Sequence, residues 1–241
     1  MEINIHEFEQ VDSTNRVLMD MAKEGAEIGT VVWARRQSIG RGRLGRSFQS
    51  PEGGVYMSLL LPLEADSQKS GFFLTAMAGV AVKRTISQVC NRNCGIKWVN
   101  DIILDGKKVC GILAQGASDK VVMGIGVNYT TDTSSFPPEV RDIACSIYED
   151  PRMAPPIETF VSALAANVYD ICFSKDKTWL EEYKSSSTIV GNKVQIIQAG
   201  KITGSGRAVL IDDNCFLHII DDAGKEIVLS TGEVSVRNNY D

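Results

Sequence analysis

The sequence predicts an α+β fold, with a β-sheet backed by helices over residues 1–187 and a small β-barrel over residues 188–241. Helical and strand periodicities interleave through the first part, whereas the last part carries only short strand patterns separated by turn residues. The 241 residues also suffice for one large domain with a small appendage. A chain this long buries roughly three-quarters of its unfolded surface, so its core needs no disulfide or metal staple.

Residues 3–11 alternate apolar and polar, which predicts a strand starting almost at the first residue. Ser13-Thr14-Asn15 offers N-cap chemistry for a helix running to about Lys23. A second strand is predicted within 29–37, around Thr30-Val31-Val32-Trp33-Ala34, and a strongly apolar one from Val55 to Leu61. Phe73, Met77, Val80 and Ala81 recur at helical spacing and place a long helix over 67–90. Strands follow at about 95–104, 107–115 and 120–127, with Asp105-Gly106 as a tight hairpin turn between the first two. Residues 129–141 are polar and carry Pro137-Pro138, which predicts a surface loop; helices are predicted at 156–173 and 176–186. Beyond 188, strands near 193–198, 201–211, 215–220, 226–230 and 233–237 are divided by Asp212-Asp213-Asn214 and Asp221-Asp222-Ala223-Gly224.

Composition narrows the function classes. A hydrophobic content of 44% with 23% charged residues is ordinary for a globular protein, and a net charge of −5 argues against nucleic-acid binding through bulk charge. The tail repeats that sign, with five Lys/Arg against seven Asp/Glu from residue 188 onward. No apolar run approaches the roughly 20 residues that span a bilayer. The start, Met-Glu-Ile-Asn-Ile-His-Glu, lacks the basic and apolar regions of a signal peptide. Six scattered cysteines (90, 94, 110, 145, 172, 215) fit buried thiols in a reducing compartment, and Cys90 and Cys94 have no second pair to complete a zinc site. A cytoplasmic protein with neither a nucleic-acid nor a membrane partner is expected.

Three clusters carry chemistry. Gly40-Arg41-Gly42-Arg43-Leu44-Gly45-Arg46 places three guanidinium groups among three glycines, in a loop running on through Phe48, Pro51, Gly53 and Gly54. Glycine permits positive φ and close approach to a ligand, and arginine forks suit phosphate and carboxylate oxygens. The loop has no Gly-Lys-Ser/Thr ending and leads into a strand, so it is neither a Walker A loop nor a Rossmann turn. A solvated basic loop is the bland alternative, which the interleaved glycines make less economical. The second cluster is Lys97-Trp98-Val99-Asn100-Asp101, followed by Lys107-Lys108-Val109-Cys110-Gly111. Asn100 and Asp101 read as turn residues, while Lys108 would set an ammonium group at a sheet mouth over a floor that Gly111 keeps open. The third, Gly124-Ile125-Gly126-Val127-Asn128, is weak alone. Only His6 and His218 are present, both in strand patterns, so charge stabilisation by Arg and Lys is favoured over histidine-based nucleophilic catalysis.

With Ser13-Thr14-Asn15, these clusters resemble the biotin protein ligase family, over nearly the whole chain and in the family's order. The resemblance implies a mixed sheet like that of class II aminoacyl-tRNA synthetases, and an SH3-like C-terminal barrel. It implies that a biotin carboxylate attacks the α-phosphate of ATP, giving biotinyl-5′-AMP and pyrophosphate, with Mg²⁺ required. Biotin would then pass to a lysine of a biotin carboxyl carrier protein. The form without an N-terminal DNA-binding domain is implied, and a homodimer is left open.

The resemblance assigns Ser13, Thr14, Asn15, Gln37, Arg41, Gly42, Arg43, Lys108, Gly111 and Leu113 to biotin. It assigns Arg43, Arg46, Phe48, Asn100, Asp101, Lys108, Asn128, Glu233 and Arg237 to the nucleotide, with Phe48 packing on adenine. Lys108, Arg41 and Arg43 are the catalytic candidates, and Asp101 stands near Mg²⁺ or the acceptor lysine. Val99 replaces a usual proline and Cys110 a usual small residue. A lipoate or octanoate ligase or transferase of the same fold is one alternative, and a non-catalytic biotin- or nucleotide-binding sensor is the other.

Overall fold

The computed structural model describes residues 3–63, 67–174, 176–198, 200–230 and 233–236, with the side chains of 67–70, 233 and 236 outside that description. The first sheet is built from β1 (Asn4–Val11), β2 (Thr30–Gln37), β3 (Val55–Pro62), β4 (Gly95–Lys97), β5 (Asp101–Leu104), β6 (Lys107–Ala117) and β7 (Lys120–Val127). Its helices are α1 (Thr14–Lys23), α2 (Ser67–Cys90), α3 (Pro138–Arg141), α4 (Ile157–Phe173) and α5 (Thr178–Ser185). The second sheet holds β8 (Lys193–Gln198), β9 (Lys201–Ile211), β10 (Leu217–Asp221), β11 (Glu226–Leu229) and β12 (Glu233–Val236).

The first sheet runs β1-β2-β3-β7-β6-β5-β4 and is mixed, since β1 pairs with β2 in parallel and the other neighbours are antiparallel. Strand period two sorts each strand between its faces. Val55, Met57, Leu59 and Leu61 of β3, with Val121, Met123, Ile125 and Val127 of β7, point into the main core. Buried residues of α2, α4 and α5 belong to the same core. Leu60 and Val122, directly paired, point the other way and meet Leu18 of α1. Further along that second face the paired residues change from Leu60 and Val122 to Ser58 and Gly124, then to Tyr56 and Gly126. Helix α1 therefore seals one end of the face with apolar contacts, and the other end is small and polar. The candidate site lies there.

Three expectations need correction. The stretch 95–104 is two strands, because Trp98, Val99 and Asn100 turn between β4 and β5. Residues 129–141 are not simply a surface loop: Tyr129, Thr131 and Phe136 are buried and a turn of helix closes at Arg141. Ser13 occupies the N-cap of α1 but makes no capping hydrogen bond with its side chain. The Asp105-Gly106 hairpin forms as expected, with both residues at positive φ (49° and 79°) as a type I′ turn requires.

The second sheet is antiparallel in the order β11-β10-β9-β8-β12, and its two edge strands are not paired with each other among the described residues. It is tied to the first part through Trp98, whose indole N–H donates to the Cys215 carbonyl at 2.8 Å. Phe72 packs against both Trp98 and Phe216.

His218 of β10 sits between two carboxylates, with Nδ1 2.7 Å from Glu226 Oε1 and Nε2 3.4 Å from Asp212 Oδ2. Glu226 first and Asp212 second raise the imidazole above its ordinary 6.5, against the effect of burial. Because the folded value exceeds the unfolded one, this contribution to stability is complete below about pH 6.5 and fades as pH rises through the folded value. Thermal melts from about pH 6 to pH 8 should show wild-type protein losing stability relative to His218→Gln. Melting curves that stay parallel would refute the assignment.

Candidate active site

The floor of the site is a strip of β6 and β7 in which Gly111 pairs with Gly126 and Leu113 with Gly124. A Cβ on Gly126 would lie 2.5 Å from the Phe48 ring, and one on Gly124 would collide with Asn15 Oδ1. These glycines let the arginine loop and the start of α1 lie flat on the strands. Lys108 and Gly111 are three residues apart, which would put them on opposite faces of a regular strand. The register slips between Ile102 and Ile103, so Val109 is an extra residue and the resulting bulge turns Lys108 to the Gly111 side. A Cβ on Gly111 would then stand 3.2 Å from Lys108 Nζ. The backbone of Lys108 is held by hydrogen bonds to Ile143 (2.8 Å) and from Cys145 (3.0 Å).

The arginine loop folds back on itself. Gly42 N–H donates to the Arg46 carbonyl (2.7 Å), Phe48 N–H to the Gly40 carbonyl (2.9 Å), and Arg41 and Ser47 form a bridge. Two of its three glycines explain themselves: Gly45 has φ +75°, and a Cβ on Gly40 would collide with the Phe48 carbonyl and Ser50 Oγ. Gly42 has φ −113° and no contact closer than 3.4 Å, so neither reason applies to it.

Two cavities meet under this loop. The inner one is lined by Ser13, Thr14, Asn15, Gln37, Leu113 and the glycine strip. The outer one is lined by Arg46, Lys97, Trp98, Asp101 and, from the second sheet, Ile197, Val234 and Ser235. Gly42, Arg43, Phe48, Asn100 and Lys108 line both and form the wall between them. Within that wall Arg43 Nη1 donates to Asn100 Oδ1 at 2.9 Å, and Lys108 Nζ lies 2.7 Å from Asp101 Oδ1. The Lys108 ammonium also stands 6.0 Å from the centre of the Phe48 ring. Asn100 is fixed by Nδ2 donating to the Ile112 carbonyl at 3.0 Å, and the preceding turn by Tyr183 Oη donating to the Val99 carbonyl at 3.1 Å. Burial pushes the Cys110 thiol well above its ordinary value, so it is no nucleophile.

At the inner end, Thr14 N–H donates to Gln37 Oε1 at 2.9 Å and Gln37 Nε2 donates to Ser50 Oγ at 2.9 Å. Ser13 lines the same cavity and makes no capping hydrogen bond with its side chain. The structure thus gathers Ser13, Thr14, Asn15, Gln37, Arg41, Gly42, Arg43, Lys108, Gly111 and Leu113 around one cavity. Arg46, Asn100 and Asp101 stand at the other. Phe48 packs on the glycine strip and edge-on to Tyr56, between the cavities rather than in the outer one alone. Asn128 lines neither: it is buried, and its Nδ2 donates to the Cys145 carbonyl at 3.1 Å. The Glu233 side chain and Arg237 lie outside the described residues. Sequence reasoning missed Ser58 and Gln115, which hold the Thr14-Asn15 segment from below. A lone serine inside the apolar run of β3 was the available signal for the first.

A sequence profile for the biotin/lipoate A/B protein ligase family matches residues 7–129. The chain belongs to this family. The biotin–[acetyl-CoA-carboxylase] ligase of Mycobacterium tuberculosis is 30% identical over 233 residues, covering 93% of this chain and 86% of that protein. The bifunctional ligase/repressor BirA of Bacillus subtilis is 39% identical over 143 residues, but that match covers 57% of this chain and only 44% of the relative. The biotin protein ligase from Aquifex aeolicus, solved with biotin and ATP, superposes with a TM-score of 0.83 at 27% identity, covering 98% of this chain and 99% of that one. Family membership agrees with the mixed sheet, its helical backing and the small antiparallel sheet at the C-terminal end.

Proposed function

We propose that the protein is an ATP-dependent biotin–protein ligase that makes biotinyl-5′-AMP and passes biotin to a lysine of a biotin carboxyl carrier protein. The observation that carries this reading is the shared wall. Two cavities separated by Arg43, Asn100 and Lys108 suit two substrates that must touch at one point. Biotin carboxylate and ATP triphosphate are both anionic, and guanidinium and ammonium groups at the meeting point offset their repulsion. The carboxylate is already ionised near neutral pH, so the absence of a histidine from the site costs nothing.

In this reading Ser13, Thr14, Asn15 and Gln37 hold the head group, and Gly111 and Leu113 flank the acyl chain. Arg41 and Arg43 lie along the carboxylate and α-phosphate, and Lys108 stands at the reacting oxygens. Arg46, Asn100 and Asp101 face the nucleotide. Mg²⁺ enters as the magnesium complex of ATP. Asp101 is the one carboxylate on the outer cavity among the described residues and already pairs with Lys108, so a magnesium ion brought in with ATP would draw most of its ligands from phosphate oxygens and water. Covering the adenylate with the arginine loop limits its hydrolysis until the acceptor lysine arrives.

A catalytic unit over 1–187, a tail module over 188–241 and a cytoplasmic location go with this reading. No helix among the described residues is long and apolar enough to cross a membrane.

Pyrophosphate release from magnesium-ATP, measured with biotin, lipoate or octanoate as the only acid, tests the proposal. Release is expected with biotin alone, and release driven by lipoate or octanoate but not by biotin would overturn it. A binding protein without catalysis would show ligand affinity and no pyrophosphate at all.

A further inference from the structure

Helix α5 is eight residues long, yet three consecutive side chains on it hold three different parts of the molecule. Glu182 receives Lys83 and Arg84 of α2, at 3.3 and 2.8 Å. Lys184 reaches Asp213 at 2.6 Å, in the same turn between β9 and β10 whose Cys215 carbonyl takes the Trp98 indole. Between them, the Tyr183 hydroxyl donates to the Val99 carbonyl at 3.1 Å, in the turn that leads to Asn100 of the wall.

Packing alone does not call for that hydroxyl. Tyr183 is buried in the main core, where a phenylalanine ring would fill the same space and bring no polar atom to satisfy. Burial pushes the phenol well above its ordinary value, so the oxygen keeps its proton and donates. Val99 is buried as well, and among the described residues no main-chain N–H donates to its carbonyl. Each of these polar atoms therefore satisfies the other. The following residue, Asn100, is held on its other side by Ile112, whose N–H donates to the Asn100 carbonyl at 3.0 Å and whose carbonyl accepts from Asn100 Nδ2 at 3.0 Å. With its main chain fixed from two sides, Asn100 presents Oδ1 to Arg43 Nη1 at 2.9 Å.

We infer that Tyr183 is a positioning residue for closure of the arginine loop: by holding the Val99–Asn100 peptide it places the amide oxygen on which Arg43 fastens. It lines neither cavity and touches no substrate in this arrangement. The inference rests on the biotin-ligase reading, because the molecule kept under the fastened loop is biotinyl-5′-AMP. It extends the machinery of the site to a helix outside both cavities.

Tyr183→Phe keeps the ring and removes one hydroxyl. Biotinyl-5′-AMP, formed on the protein from biotin and labelled magnesium-ATP, should escape from this variant about three- to tenfold faster than from wild type, the scale of one hydrogen bond. The KM for biotin should stay within about twofold, because the polar head-group contacts lie at the other end of the inner cavity. A double-mutant cycle with Arg43→Ala shows whether the effect runs through the loop. In the Arg43→Ala background the bond to Asn100 is already gone, so Tyr183→Phe should add less than about twofold. Equal acceleration in both backgrounds would mark a general loosening of the core and overturn the inference, as would no acceleration in either. Wild-type protein that forms no biotinyl-5′-AMP overturns the enzymatic reading beneath it, and the inference with it.

Discussion

Lys108→Ala is expected to slow adenylate formation by roughly 10²–10³-fold, the usual consequence of removing one preorganised donor from a developing anionic centre. Biotin affinity should change by less than about tenfold, or ~1.4 kcal/mol, because the polar contacts that hold the head group sit at the other end of the inner cavity. The expectation follows from the bulge at Val109, which brings Lys108 over Gly111 and into the wall both cavities share. Part of the loss will come from Asp101, whose carboxylate then loses its 2.7 Å partner and adds negative charge where two anions must meet. Lys108→Ala combined with Asp101→Asn should therefore recover some of the rate without restoring the wild-type value. Isotope exchange between pyrophosphate and ATP, measured with biotin saturating, reads the chemical step directly. Exchange that proceeds undiminished in Lys108→Ala would remove this residue from the mechanism.

The features legible in the sequence were those written in local chemistry. Asp105-Gly106 announces a type I′ turn because few other pairs accept positive φ twice in succession. The glycine-arginine alternation announces a cationic loop able to lie close to its neighbours, and that loop and the segment from Lys97 to Asp101 with Lys108 do line adjoining cavities. What was not legible depends on pairing. The parallel partnership of β1 with β2 and the adjacency of β3 to β7 join segments far apart in the chain, and period two is silent about neighbours. The strand predicted over 95–104 looked continuous because Trp98 and Val99 are as apolar as strand residues, although they serve a turn packed on Cys215 and Tyr183. Bulges leave no pattern of their own, so the face Lys108 would occupy could not be derived. Asn128 follows a Gly-x-Gly run that does reach the site, yet its side chain turns back towards the segment around Cys145.

Arg43→Ala is expected to raise the rate at which biotinyl-5′-AMP escapes into solution, by about 10- to 150-fold if the whole of a ~1.5–3 kcal/mol charged contact is lost. Arg43 reaches from the loop across to the opposing side, through its 2.9 Å bond to Asn100, and it borders both cavities. The rest of the loop is held by its own backbone bonds at Gly42 and Phe48, so the fold of the loop should survive the substitution. What is lost is the fastening of the loop over the intermediate. Arg43→Lys separates charge from geometry: an ammonium keeps the attraction for phosphate but not the planar fork that can engage Asn100 and a phosphate together. It should therefore retain the intermediate better than alanine and worse than arginine. Chasing labelled adenylate from the protein with excess unlabelled biotin and ATP measures that order. Equal retention by all three proteins would mean that the loop covers the site without closing it.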